Sequence, residues 1–424
     1  MGKLVIHLKQ HTPLLHFQHG QQCATLRATE VKPKLDKFIK DKVGADKKLN
    51  SCFIGDSKAL DYKMKIEIDD KKRDEYLVCS YLNIKNLTRT RDMPAIIAKS
   101  PYFAQEEAVR KIVTVTRNNQ KKFQVEKWNN IGKKGLMWPI LSISFFSLNQ
   151  DVLNYIEEYI EDFFICTNFG TRNNKGFGSF TVSKIGNEVV PLKQPDIRKS
   201  LKKNFDFVYW KKTDIHNDNE RFNILFSTIV NDYRLIKSGS GPKKSAFFEY
   251  AKSKEYRWDK PFIKSRLLPI LKKEGKSLLV KDKRNIKRNT DVTNSCFVRP
   301  LLGLAGNYSF LLGEENNPLQ RIERELGVVN VKHNKNTTDA EQINRFPSPL
   351  LFKVIDNTIY LVGNKDGVKP IINKEFSFFY NKNLVGTLST PKDFNLETFL
   401  DFVFKGGYSH KGELNYDKYI DSTI

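Results

Sequence analysis

Four of the seven histidines, His7, His11, His16 and His19, fall within thirteen residues of the chain. Imidazole is the side chain that changes charge near neutral pH, so such a group could pass protons as a general acid and base. If Lys3 to Gln10 is a strand, His7 and His11 share a face opposite Leu4, Ile6 and Leu8. Three uses stay open: surface or turn histidines after a strand, an acid–base set led by His11 and His16, or metal ligands. A metal would want converging ligands at fixed spacing with a carboxylate or thiol to complete the shell, and only Cys23 lies close. No metal and no cofactor are therefore expected.

The second candidate is a binding element. Gly170 to Phe180 reads GTRNNKGFGSF. Glycines allow positive φ and close backbone approach, and Thr171, Arg172, Asn173 and Lys175 between them offer hydroxyl, amide and cationic donors. A phosphodiester backbone is the ligand such donors suit. The plain alternative is a tight helix-to-strand connection. Arg27, Lys32 and Lys34, in the stretch LRATEVKPKLDKF, would stand at the mouth of a helix, where unpaired N–H groups draw phosphate; Glu30 blunts that attraction.

Charge favours a polyanion. The 424 residues carry a net +24, and half of it lies between Lys237 and Arg288, with 17 Lys or Arg against 5 Asp or Glu. Lys243, Lys244, Arg284, Lys287 and Arg288 are its expected phosphate contacts. The interleaved Phe247, Phe248, Tyr250, Tyr256, Trp258 and Phe262 are expected to stack on bases. Part of so dense a basic run is expected to stay mobile until a polyanion or partner neutralises it. No Walker A loop, GxSxG or HExxH occurs, which removes nucleotide hydrolysis and zinc-protease chemistry. Five scattered cysteines with no CxxC pair, no apolar run near 20 residues and no signal-peptide pattern lead to an expected cytoplasmic chain with no membrane partner.

The elements that must position these residues alternate. Lys3 to Gln10, Leu60 to Ile68, Tyr76 to Ile84, Leu136 to Leu148 and Phe177 to Ile185 read as strands. Thr25 to Lys42, with Thr29 as N-cap and Pro33 in the first turn, and Asp151 to Cys166 read as helices. A helical segment is expected around Gln105 to Val115, and Asn219 to Ile236 reads as an amphipathic helix. Short strands at Leu350 to Ile355 and Ile359 to Val362 and a last helix near Leu396 to Phe404 follow. The expected class is α+β, with tandem ferredoxin-like (RNA-recognition-type) domains carrying insertions. The first spans 1–195, with insertion 85–134 and the Gly-rich loop 170–180; the second spans 196–424, with the basic insertion 237–290.

The strand ending His11-Thr12-Pro13-Leu14, the helix LRATEVKPKLDKF, the loop GTRNNKGFGSF and the later strand RFPSPLLFKVI together resemble the RAMP superfamily of CRISPR effector proteins. Within it, the chain is similar to the two-domain head subunit of type III-B complexes. The resemblance covers most of 1–190 and, more loosely, 205–405, and the Gly-rich loop is its specific motif. Ala28-Thr29-Glu30 departs from the Gly-Ser step that usually opens the first helix, and the 237–290 region has no counterpart. The resemblance implies a non-cleaving RNA-binding subunit that holds the 3′ part of a guide RNA, engages target RNA and contacts other subunits of the complex. Its alternative is a metal-independent endoribonuclease that processes CRISPR precursor RNA with His11 and His16.

Overall fold

Alternation of apolar and polar residues builds the first sheet. A computed structural model describes residues 2–15, 25–44, 46–55, 59–68, 74–79, 95–97, 112–117, 120–125, 133–239, 242–278, 295–304, 306–314, 321–334 and 345–419. It divides into two compact units, Met1–Asp232 with Leu351–Val362 and Tyr416–Ile424, and Tyr233–Leu350 with Gly363–Asn415.

In the first unit, β1 (Gly2–Gln10), α1 (Ala28–Val43), β2 (Lys63–Ile68), β3 (Leu141–Ser147), α2 (Gln150–Cys166) and β4 (Phe180–Ile185) follow one another in a β-α-β-β-α-β succession. The sheet order is β4-β1-β3-β2, all antiparallel, with the short strand Glu188–Val189 outside β4. Ile6, Leu8, Ile143, Phe145, Phe180 and Val182 turn to one face, where they meet Val31, Leu35 and Ile39 of α1 and Val152, Ile156, Ile160 and Phe163 of α2 in one buried core. Asn149 caps α2 by accepting from the Asp151 N–H at 3.0 Å.

The unit then takes in α3 (Gln194–Asn204), β5 (Phe207–Lys212) and α4 (Arg221–Tyr233). Late chain returns to it as β6 (Leu350–Ile355), β7 (Thr358–Gly363) and β8 (Asp417–Lys418), in a sheet of order β6-β7-β5-β8. Ile165, Ile197, Leu201, Val208, Ile355, Tyr360 and Val362 form its core.

Several local expectations change. Arg27, not Thr29, is the N-cap of α1, with an extended backbone and no side-chain capping bond, and Pro33 lies inside the helix. Pro33 has no N–H to give the Thr29 carbonyl; packing of Val31, Leu35 and Ile39 carries the helix past that missing bond. The expected strand from Leu136 to Leu148 is two strands in different sheets. Lys133–Met137 pairs with Leu14–Leu15 and Asp74–Cys79, whereas Leu141–Ser147 joins β1 and β2. Pro139 stands between them, unable to donate to a ladder. Ile112–Arg117 is a strand of a hairpin with Gln120–Val125, correcting the helix expected around Gln105 to Val115; its β-branched run Ile-Val-Thr-Val-Thr explains why, and residues 105–111 lie outside the described residues.

The second unit holds a five-stranded sheet in the order Lys276–Leu278, Asn307–Glu314, Arg321–His333, Glu375–Tyr380, Asn383–Ser389. The helix Asp259–Lys273 packs against the last of these strands. The class is α+β in both units.

Candidate nucleic-acid interface

The Gly-rich loop is tied to the protein along its length. Thr171 donates its backbone N–H to the Leu15 carbonyl at 2.8 Å, Gly178 to Pro13 at 3.0 Å, and Phe169 to Gly178 at 2.9 Å. Gly170 (φ 76°) and Gly178 (φ 64°) are required twice over. A Cβ on Gly170 would come within 2.5 Å of the Leu15 carbonyl oxygen, and one on Gly178 within 2.0 Å of that of Phe169. The close approach that these glycines permit is therefore to the chain itself. Further along, Phe352 of β6 donates to the Asn174 carbonyl at 3.1 Å, and the Asn168 amide reaches the carbonyls of Asn173 (2.6 Å) and Phe352 (2.8 Å). Phe177, expected on the strand, sits in the loop, stacked on Phe226 of α4 at 4.0 Å.

The polar crest, Thr171 to Lys175, is half-buried. Arg172 takes a left-handed φ of 58°, and burial pushes its guanidinium down to about 10. The structure joins this loop to α1. Glu30 accepts the Gly170 N–H at 2.8 Å and the Lys34 ammonium at 2.9 Å, while Lys34 also reaches the Asn168 carbonyl at 3.2 Å and lies 4.8 Å from the Phe169 ring centre. Lys32 turns inward to the Leu60 carbonyl at 2.6 Å, with Asp36 at 3.5 Å and the Tyr62 ring at 3.4 Å, and burial lowers its pKa. Arg27 is exposed at the same end of α1. Thus Arg27 is exposed and the loop crest half-buried, whereas Lys32 and Lys34 hold backbone carbonyls at Leu60 and Asn168.

Two anchors have partners that the sequence did not reveal. Lys353 of β6 is fully buried and donates to the carbonyls of Phe164 (2.8 Å), Thr167 (2.9 Å) and Phe180 (3.1 Å). The first two end α2, where a cation complements the helix dipole and its orphan carbonyls. Burial pushes this ammonium down to about 7. Arg221, which opens α4, donates to the Asn357 side chain (2.9 Å) and the carbonyls of His11 (3.1 Å) and Asp356 (2.6 Å). The only signal for Lys353 was a cation inside an apolar stretch, and Arg221, after the polar run 216–220, gave none; the partners lie more than 100 residues away.

His11 does not stand ready for proton transfer. It is 1% exposed; its Nδ1 accepts the Asp356 N–H at 3.0 Å, so Nε2 carries the proton toward Thr181 Oγ1 at 2.8 Å. Burial pushes its pKa down to about 4, which keeps it neutral. The Asp356 carboxylate pairs instead with the Lys9 ammonium at 2.8 Å. The expectation that His7 and His11 share an open face fails because β1 ends at Gln10 and His11 turns inward. His16 and His19 lie outside the described residues, and among the described residues no cluster of His, Cys, Asp and Glu is placed to hold a metal.

The basic segment is folded where it is described. Ala246–Ser253 and Asp259–Lys273 are helices, and Phe247, Tyr250 and Phe262 are buried rather than offered to bases. Phe247 packs edge-on to Trp258 (5.7 Å) and Phe399 (5.5 Å). Residues 242–278 of the run are ordered around these buried aromatics, with Lys264 and Asp259 buried as well, and residues 279–288 lie outside the described residues. Lys243 pairs with Glu413 at 2.7 Å, and Lys244 is exposed over Phe248 at 5.1 Å. Arg284, Lys287 and Arg288 lie outside the described residues.

The chain matches the Cmr1 N-terminal domain family over residues 1–240 and the Cmr1 C-terminal domain family over residues 242–418. No curated protein matches it. Among solved structures it is similar to the apo form of Cmr1 from Pyrococcus furiosus, with 10% identity and a TM-score of 0.35 over 99% of this chain and 98% of that one. A chain of the type III-B Cmr-beta complex bound to cognate target RNA and AMPPnP, in the presence of ssDNA, aligns at 11% identity and a TM-score of 0.35, over 85% of this chain and 93% of that one. Another, from that complex bound to cognate target RNA, aligns at 12% identity and a TM-score of 0.25 over 44% of this chain, which there spans 60% of the other's length. At these scores the two family matches, which cover nearly the whole chain, carry the assignment.

Proposed function

The chain belongs to the Cmr1 family, and from that premise we propose that it is a non-catalytic RNA-binding subunit of a type III-B CRISPR ribonucleoprotein. It holds the 3′ part of the guide RNA, engages target RNA and works in the cytoplasm beside the other subunits of the complex. The observation that carries this reading is the pair of family matches across both halves. A net charge of +24 supports a polyanionic partner. We read the architecture as two ferredoxin-like domains in tandem, 1–195 with its insertion 85–134 and 196–424 with its basic insertion 237–290. The β4-β1-β3-β2 order supports the first of them.

Arg27, Thr171, Arg172, Asn173 and Lys175 are the RNA contacts of the first unit, and Lys243 and Lys244 those of the second. They meet phosphate and sugar, leaving sequence to base pairing. The sealed, neutral His11 argues against acid–base cleavage.

The test uses the tagged full chain expressed with the remaining complex genes. Guide RNA and the other subunits should copurify. The isolated chain should bind unrelated single-stranded RNAs about equally, with a steep salt dependence, and leave labelled repeat RNA intact without metal. Cleavage of that RNA, or recovery of the chain without RNA or partner subunits, would overturn the reading.

A further inference from the structure

The first unit's sheet has a second face, and its side chains pair in register. Lys3 of β1 and Lys63 of β2 both lie opposite Phe146 of β3. The next row is Val5, Ser144 and Lys65, and the next is His7, Ser142 and Glu67, with Lys184 of β4 beside His7. Residues opposite one another on adjacent strands share a face, and rows repeat every two residues, about 6.8 Å. The partner face carries Leu4, Ile6, Leu8, Ile143 and Phe145 into the core. This one keeps Lys3, Lys63, Lys65 and Lys184 exposed and Phe146 half-buried.

A single aromatic on a wet face is ordinary. A ring held between two in-register lysines is less so. The Lys3 ammonium already lies 5.6 Å from the Phe146 ring centre. Leu148, two residues beyond in the same alternation, is 85% exposed. Glu67 is taken by Lys65 at 2.7 Å and Asp356 by Lys9 at 2.8 Å, so Lys3, Lys63 and Lys184 carry the net charge of the face.

We propose that this face is a platform for single-stranded RNA, with Phe146 as the surface on which a base stacks and Lys3, Lys63 and Lys184 as phosphate contacts. The proposal rests on the RNA-binding reading above and adds a site to it. A base supplies the flat π face that a half-exposed ring accepts, and its phosphates match the flanking ammonium groups. Phe146, half-buried Val5 and exposed Leu148 form only a small apolar strip between the lysines, a modest area for a neighbouring protein and enough for one stacked base.

Full-length protein is photocrosslinked to a 4-thiouridine homopolymer, and the crosslinked peptides are mapped. The peptide containing Leu141 to Ser147 should carry RNA. Phe146→Leu, which keeps an apolar side chain at a half-exposed site, should weaken binding about tenfold. Lys3→Gln with Lys63→Gln should lower the log–log salt slope by about 1.4. If wild type binds, these variants match it and the crosslinks map elsewhere, the platform is overturned while the RNA-binding reading stands. Variants that bind RNA normally but lose partner subunits on copurification would make the face a protein interface and overturn it too. Wild type that binds no RNA would overturn both.

Discussion

The Gly-rich loop and the basic segment exchanged the properties that their compositions suggested. Residues 170–178, read as an open cradle or a tight connection, are a joint in which the backbone N–H groups of Gly170, Thr171 and Gly178 are spent on Glu30, Leu15 and Pro13. The described part of the basic segment, a run expected to be mobile in part, is two helices over a ring cluster of Phe247, Trp258, Phe394 and Phe399. Glycine marks where something comes close to the backbone, and here that something is the chain itself. Charge density says nothing about whether the backbone is ordered, and Lys264 and Asp259 of this segment are themselves buried. Order follows from the apolar residues between the charges, here Phe247, Tyr250 and Ala251 at i, i+3 and i+4.

If the loop is a joint, breaking its support should damage the fold far more than neutralising the basic segment. The largest effect belongs to Lys353→Met, which leaves the Phe164, Thr167 and Phe180 carbonyls without their buried donor. It should cost about 4 kcal/mol in urea denaturation. A loss similar to that of a surface lysine would mean that the loop holds its place without this bond.

Acid should loosen the same joint. The unfolded histidine titrates near 6.5 and folded His11 near 4, so the unfolded chain takes up the proton first as pH falls. Stability present above pH 6.5 is then lost progressively down to about pH 4, by about 3 kcal/mol from this group. Urea midpoints taken at pH 7, 5 and 4 should show the fall, and His11→Gln should flatten it while lowering the midpoint at pH 7.

The smallest structural effect, and the one that sharpens the contrast, is Lys243→Gln with Lys244→Gln. The thermal midpoint should hold within about 1 °C, because exposed pairs contribute little. The salt slope of RNA affinity should shrink by about 1.4. An unchanged slope would reduce this segment to a solvated surface.

Periodicity carried the first unit's sheet and helices into view. Leu35 and Ile39 on α1, and Ile156, Ile160 and Phe163 on α2, are buried as their spacing requires. Pro139 was a visible warning that the stretch from Leu136 to Leu148 could not be one strand. The spacing of Phe247, Tyr250 and Ala251 likewise showed a buried helix face that the surrounding lysines obscured. What no local pattern could supply is pairing across the chain. Lys353 meets α2 across 186 and 189 residues, and Arg221 meets Asp356 across 135. The outward direction of Arg27 and the inward one of Lys32 depend on where Leu60 and Tyr62 arrive, which a helix read alone does not reveal.

The return of Leu351–Val362 to the first unit has a consequence for how the molecule is made. A ribosome that has released Asp232 must still add 233–350 before β6 can appear, which at about 5–20 residues per second takes roughly 6–24 s. Throughout that delay the end of α2 waits for Lys353, and the strand-edge and core surfaces that β6 and β7 will cover stand open. The nascent chain is thus exposed to misassociation in the middle of its synthesis, and its N-terminal half is completed only by residues translated after most of the other unit.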